Sequence, residues 1–204
     1  MHSIKKKYIS CIVLGLSISS VFANKFFTKK PENAVATVLQ QEALPYFAPP
    51  FDRNGFEDFK EALAFKESQG NYQVVNKLGY LGKYQFGSTT LERFDILDTT
   101  AFLTNPALQE KAFVALCKVN KWILRKDIKR SVGKKINGIF ITESGIIAAA
   151  HLAGAGNVKK FLRSNGAQTF SDAFGTTVEI YLEIFAAYDT SSIEPNRKPK
   201  LIVS

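Results

Sequence analysis

Histidine, cysteine, tryptophan and methionine are scarce in this chain: two His, two Cys, one Trp and one Met among 204 residues. His2 and Cys11 stand near the start, so the body of the chain holds only His151 and Cys117. A body with one cysteine cannot close an internal disulfide and must hold together by packing. One His and one Cys are too few for a zinc site built from several such ligands, and no metal or cofactor is expected. Acids are the minority charge, 18 against 27 Lys and Arg, for a formal net charge of +9. No internal repeat is present.

The chain is rich in apolar side chains, 46% of its residues, with 17 Phe. That supports a packed core and excludes a fully disordered chain. The first residues carry an export pattern. Lys5, Lys6 and Lys7 form a positive segment, Tyr8 to Val21 an apolar one, and Val21-Phe22-Ala23 a cleavage site. An uncleaved anchor is the alternative, but the apolar run is short for a span, which needs roughly 17–25 residues. No lipobox leucine precedes Cys11. Residues 1–23 are therefore expected to be a signal peptide, with the mature protein periplasmic or extracellular. Loss of the three lysines would lower the net charge to about +6, which suits a polyanionic partner or simply solubility.

Residues 24–53, with Lys29-Lys30-Pro31 and Pro45, Pro49 and Pro50, read as a linker, with a short helix conceivable over 34–39. Residues 54–190 read as one globular domain, and 191–204 as a flexible tail containing Pro195 and Pro199. Phe56, Phe59 and Leu63 recur at helical spacing and predict a helix from Phe56 to Ser68, stopped by Gly70. Asn71 to Phe86 contains Gly79 and Gly82 with alternating Tyr80, Tyr84 and Phe86, a short hairpin or irregular excursion. Thr89 with Glu92 reads as a capping box. Asn105-Pro106 opens a long helix to about Leu124, and the basic run Arg125 to Lys135 reads as a solvated loop. Thr142 caps a helix ending near Gly154, with Ile141 and Ile146 placed as a hydrophobic staple. Thr176 with Glu179 reads as a capping box before Val178, Tyr181, Leu182 and Phe185. The fold class is mainly α.

Glu67 continues the apolar stripe of the first helix, four residues after Leu63, and sits in its last turn. Burial and the negative end of the helix dipole both oppose a carboxylate charge there. A carboxyl that can carry a proton is what glycosidic-bond cleavage requires. Glu143-Ser144-Gly145 echoes Glu67-Ser68, but Glu143 falls in the first turn of its helix, where the dipole favours charge. A Cys117–His151 nucleophile pair is conceivable, yet Cys117 lies on the apolar face Phe113, Leu116, Leu124 and reads as an inert buried thiol.

In order and spacing, the segments from Phe56 to Tyr188 resemble the lysozyme-like lytic transglycosylase family, which includes goose-type lysozymes. Glu67-Ser68 is similar to the family's Glu-Ser at the end of the first core helix, where Glu is the catalytic acid. Gly79-Tyr80-Leu81-Gly82-Lys83-Tyr84-Gln85 resembles its glycine-containing Gly-Leu-Met-Gln segment lining the sugar cleft. Ala150-His151-Leu152-Ala153-Gly154 stands where the family has Ala-Tyr-Asn-Ala-Gly, with His and Leu replacing Tyr and Asn. Tyr181 resembles the cleft tyrosine that supports the catalytic Glu.

The resemblance implies a lysozyme-like fold, with a helical lobe and a small β-like excursion after the catalytic helix. It implies cleavage of the bond between N-acetylmuramic acid and N-acetylglucosamine in peptidoglycan. Glu67 would serve as general acid and then as base, closing a 1,6-anhydro ring. Ser68, Tyr80, Gly82, Tyr84, Gln85, His151 and Tyr181 would contact substrate. Hydrolysis by a muramidase would want a second carboxylate, for which Glu92, Asp95 and Asp98 are nearest in sequence. A non-catalytic wall-binding or assembly protein is the other alternative. Nucleic-acid binding through the basic run conflicts with the export pattern.

Overall fold

A computed structural model describes residues 55–201. The expected signal at 1–23, the linker at 24–53 and the helix considered at 34–39 lie outside the described residues. Among the described residues the chain is mainly helical, with one small antiparallel strand pair.

Helix α1 spans Phe56–Ser68. Asp58 reaches back to accept from the Gly55 backbone N–H at 3.0 Å, fixing the entry. Gln69 at φ 57° and Gly70 at φ 79° turn the chain out of the helix, and their N–H groups cap the carbonyls of Phe65 and Ala64. Phe59 and Leu63 are fully buried, each stabilising by roughly 1.5–3 kcal/mol through burial alone.

The excursion that follows contains no extended ladder. Isolated bridges pair Val75 with Leu81 and Leu81 with Phe86. Leu81 and Phe86 exchange backbone hydrogen bonds at 2.9 and 2.8 Å. Two short helices come next, α2 (Ser88–Glu92) and α3 (Thr99–Leu103). The expected Thr89–Glu92 box is not used: Gly87 is the cap residue of α2, with no side-chain cap bond. Asp98 caps α3 by accepting from Thr100 and Ala101.

Helix α4 (Pro106–Ser131) begins as its Asn-Pro pair predicts, with the Asn105 side chain accepting from the Leu108 N–H. It runs past Leu124, so most of the basic run is helical rather than loop. Asp127 explains this. It is 1% exposed and forms ion pairs with Arg130 and, at 2.9 Å, with Arg163. Strands β1 (Lys135–Ile136) and β2 (Ile139–Phe140) form a hairpin. Its two turn residues, Asn137 and Gly138, both take positive φ, the signature of a tight type I′ connection.

Helix α5 (Glu143–Arg163) is capped by Thr142, which accepts from the Gly145 N–H at 3.1 Å. Ile141 and Ile146 are both fully buried. At Gly154 the backbone breaks from helical geometry, φ 77° and ψ 145°. The helix was expected to end there; instead it resumes and buries a new apolar face of Val158, Phe161 and Leu162. Helix α6 (Val178–Ile184) is capped by Thr177, one residue after the expected Thr176, with its side chain accepting from Ile180.

Helix α5 packs against both α4 and α6. Gly145 permits the second contact: a methyl group there would lie 2.5 Å from the Leu182 carbonyl oxygen. The core is continuous and aromatic, with the ring of Phe59 5.9 Å from Phe185 and 6.3 Å from Phe113. The segment after Asp189, expected to be loose, lies along α4. Ile193 is buried, the Asn196 N–H donates to the Lys118 carbonyl, and Arg197 stacks over Trp122.

Candidate active site

Glu67 leaves the last turn of α1 half-buried and lines a cavity of about 330 Å³. The Tyr181 hydroxyl, on α6 and 114 positions away in sequence, donates to its Oε1 at 2.5 Å. Burial raises the Tyr181 phenol above its usual range, and the Glu67 charge and hydrogen bond raise it further. Tyr181 therefore stays a neutral donor at all ordinary pH. One oxygen of Glu67 is held; Oε2 has no hydrogen-bond partner among the described residues.

Tyr80, Gln85 and His151 line the same cavity, with Leu152, Phe170, Asp172 and Phe174. Tyr80 and Phe174 are 43% and 65% exposed. Exposed aromatic faces beside a polar cavity suit stacking on sugar rings. Gln85, at φ 49°, is held by its own amide, which donates to the Gly82 carbonyl at 2.9 Å.

Three other residues of the motif face elsewhere. Ser68 donates its hydroxyl to the Lys83 carbonyl at 2.7 Å, tying the end of α1 to the excursion. Gly82 sits at φ 72°, where a methyl group would collide with the Gln109 side chain at 2.2 Å. Tyr84 is fully buried, its ring stacked 4.1 Å from Phe113 and its hydroxyl donating to Glu110 Oε2 at 2.8 Å. These three shape the excursion rather than line the cavity.

Two residues of α4 explain that placement. Gln109, fully buried, accepts from the Lys83 N–H at 2.9 Å and donates to the carbonyls of Tyr72 and Phe102. Glu110 gathers Lys60 and Lys83 at 2.9 Å each, and the hydroxyls of Tyr72 and Tyr84 at 2.8 Å. Burial opposes its charge, but hydrogen bonds from Lys83, Lys60, Tyr72 and Tyr84 outweigh that and hold the carboxyl down at about 2. Burial likewise disfavours the Lys83 charge, and its bonds to Glu61, Glu110 and Tyr72 more than restore it. In sequence nothing marks Gln109 or Glu110 beyond their place one turn into a long helix.

His151 donates from Nε2 to the Tyr84 carbonyl at 2.7 Å. Its Nδ1 is buried without a partner among the described residues. Its ring lies 5.9 Å from Phe86 and 5.5 Å from Phe113. The side chain is thus part of the cavity wall, clamped to the backbone of the excursion. Cys117 is buried and burial pushes its thiol up, as expected for an inert side chain. Glu143 pairs with Lys121 at 2.7 Å and accepts from Thr190 at 2.8 Å, a structural role at a helix start.

The acids considered as a second carboxylate lie apart from Glu67. Asp95 and Asp98 line a separate cavity of about 1020 Å³ beneath the C-terminal segment, and Glu92 is exposed on α2. Sequence reasoning missed Asp172, which does line the Glu67 cavity. Its Oδ1 accepts from the N–H groups of Phe174 and Thr176 at 2.9 and 2.7 Å. The only signal for it was a turn: an acid three residues before Gly175. Among the described residues no group of His, Cys, Asp and Glu could hold a metal ion. The chain matches no protein-family model, and no curated protein or solved structure matches it.

Proposed function

We propose that the protein is a peptidoglycan-cleaving glycosidase of lysozyme-like fold, acting on the bond between N-acetylmuramic acid and N-acetylglucosamine as a lytic transglycosylase. The observation that carries this reading is the Tyr181–Glu67 hydrogen bond inside a cavity flanked by exposed aromatic rings. Support for the fold is the order of parts: a carboxylate at the end of the first helix, a glycine-bearing excursion, a broken helix and a tyrosine on the last helix.

Glu67, protonated, donates its proton to the glycosidic oxygen as the bond to the muramoyl C1 breaks. Positive charge develops at that carbon and the ring oxygen. Glu67, now ionised, takes the proton from the sugar's own C6 hydroxyl, whose oxygen bonds to C1. The 1,6-anhydro ring closes without water, and the proton is back on Glu67. Tyr181, donating to Oε1, stabilises the ionised stage and aims the carboxyl.

Hydrolysis is the second reading, and Asp172 favours it. This carboxylate accepts from two backbone N–H groups and lines the same cavity as Glu67; in this reading it would activate the attacking water. Purified wall digested with wild type, Glu67→Gln and Asp172→Asn, with products weighed, tests both. Anhydro ends, lighter by one water than reducing ends, mean a lyase; reducing ends that vanish with Asp172→Asn mean a hydrolase. No soluble fragments from wild type, or undiminished release by Glu67→Gln, would sink the glycosidase reading.

A further inference from the structure

The Glu67 cavity adjoins a second compartment of about 450 Å³, which shares Tyr80, Gln85, His151 and Leu152 with it. The two differ in charge. Lys66, Glu67 and Asp172 line the first, whereas no acid lines the second. Its floor is the break in α5: Gly154, Ala155 and Gly156 all line it. A helical segment that restarts there presents first-turn N–H groups lacking a carbonyl one turn back, with the positive end of its dipole. Nothing lies within 4 Å of where a side chain would start at Gly154 or Gly156, so this backbone is approachable.

Two side chains complete the wall. Arg93, the C-cap residue of α2, is exposed and has no acidic partner among the described residues. Asn120, on α4, is only 5% exposed yet its amide has no hydrogen-bond partner among the described residues. That amide borders the compartment and is free to donate to a bound acceptor. A guanidinium, an amide and a helix start around an acid-free space form a seat for a carboxylate.

We propose that this compartment binds a carboxylate carried on the glycan substrate, that of the peptide stem on a muramoyl residue. It rests on the glycosidase reading for the identity of the ligand. A strand whose bond meets Glu67 would place its neighbouring substituent across the His151 wall, towards Arg93.

The test is binding without catalysis. Calorimetry on Glu67→Gln would compare a muramoyl oligosaccharide carrying peptide stems with the same sugar stripped of them. The stem-bearing ligand is expected to bind at least tenfold tighter. Arg93→Gln, added to Glu67→Gln, is expected to remove that advantage, Arg93→Lys to keep part of it, and Asn120→Asp to weaken it by placing a charge against the ligand. Circular dichroism would confirm that each variant folds. Stem peptide alone and sodium acetate as competitors separate a stem site from a general anion site; displacement by acetate at millimolar concentration would overturn the stem assignment. Equal affinity for the two sugars, binding of neither, or a preference that survives Arg93→Gln would also overturn it. If the preference holds while wild type cleaves no wall, the compartment stands and the glycosidase reading falls.

Discussion

Glu67 and Glu110 are both half-buried carboxylates beside the same excursion, and they are treated in opposite ways. Four side chains converge on Glu110, two cations and two phenols, saturating both its oxygens. Glu67 receives one hydrogen bond, on one oxygen, and faces an open cavity. A saturated carboxylate is a joint: it clamps α1, the excursion and α4 together. A carboxylate with an oxygen to spare is available to a ligand. The contrast shows that a buried charge alone does not mark a reactive group, since the carboxylate with the most partners is the structural one.

The widest way to split the pair is by which property each variant loses. Glu67→Gln is expected to lower wall-digesting activity by about 10²–10⁴-fold while leaving thermal stability nearly unchanged. Glu110→Ala is expected to cost about 1–3 kcal/mol of stability, because it removes the acceptor shared by Lys60, Lys83, Tyr72 and Tyr84 and leaves the two lysines only Glu57 and Glu61. Denaturant unfolding and product release, measured on both variants, read the two outcomes. An unfolding midpoint unmoved by Glu110→Ala would break the comparison.

Acid sharpens it next. Glu110 has a folded value depressed to about 2 from 4.5, so its contribution is present above about 4.5 and lost as pH falls towards 2. Allowing for its partial exposure, the share is about 2 kcal/mol. Unfolding free energy measured down that range should fall for wild type by that much more than for Glu110→Gln. Parallel curves would refute the assignment.

The smallest effect concerns the C-terminal segment. Arg197 lies over the ring of Trp122, 5.2 Å from its centroid, and Trp122 is the single tryptophan of the chain. Arg197→Ala is expected to cost about 0.5–1 kcal/mol and to shift tryptophan emission to longer wavelength as water reaches the indole. Unchanged emission would mean that the segment does not cover the ring in solution.

The residues that were legible in sequence are those whose message is local. The Phe56–Phe59–Leu63 stripe, the Asn105-Pro106 start and the Thr142 cap each fix backbone within one turn, and each element starts where they put it. What was misread depends on partners far along the chain. Arg125 to Ser131 is helical because Asp127 meets Arg163, 36 residues on. Gly154 reads locally as a stop, yet Val158, Phe161 and Leu162 repay a restart by burying a second face. The hairpin at Asn137-Gly138 carried a local signal, overlooked amid basic residues. Within the motif, Tyr80 and Gln85 reach the cavity while Tyr84 turns inward, because Glu110 and Phe113 offer its hydroxyl and ring better partners than water does. Asp172 was hidden in the same way: only the folded turn brings it beside Glu67.

Gly145 bears on the tyrosine as well as on packing. It lets α6 approach until the Leu182 carbonyl fills the space of an absent methyl group, and Tyr181 is the neighbour of Leu182. The reach of that phenol to Glu67 is therefore gauged by one missing carbon atom on a helix that touches neither oxygen. A designer seeking to retune the acid without altering any group around it would work at position 145, where a single added carbon moves the last helix outward like a shim.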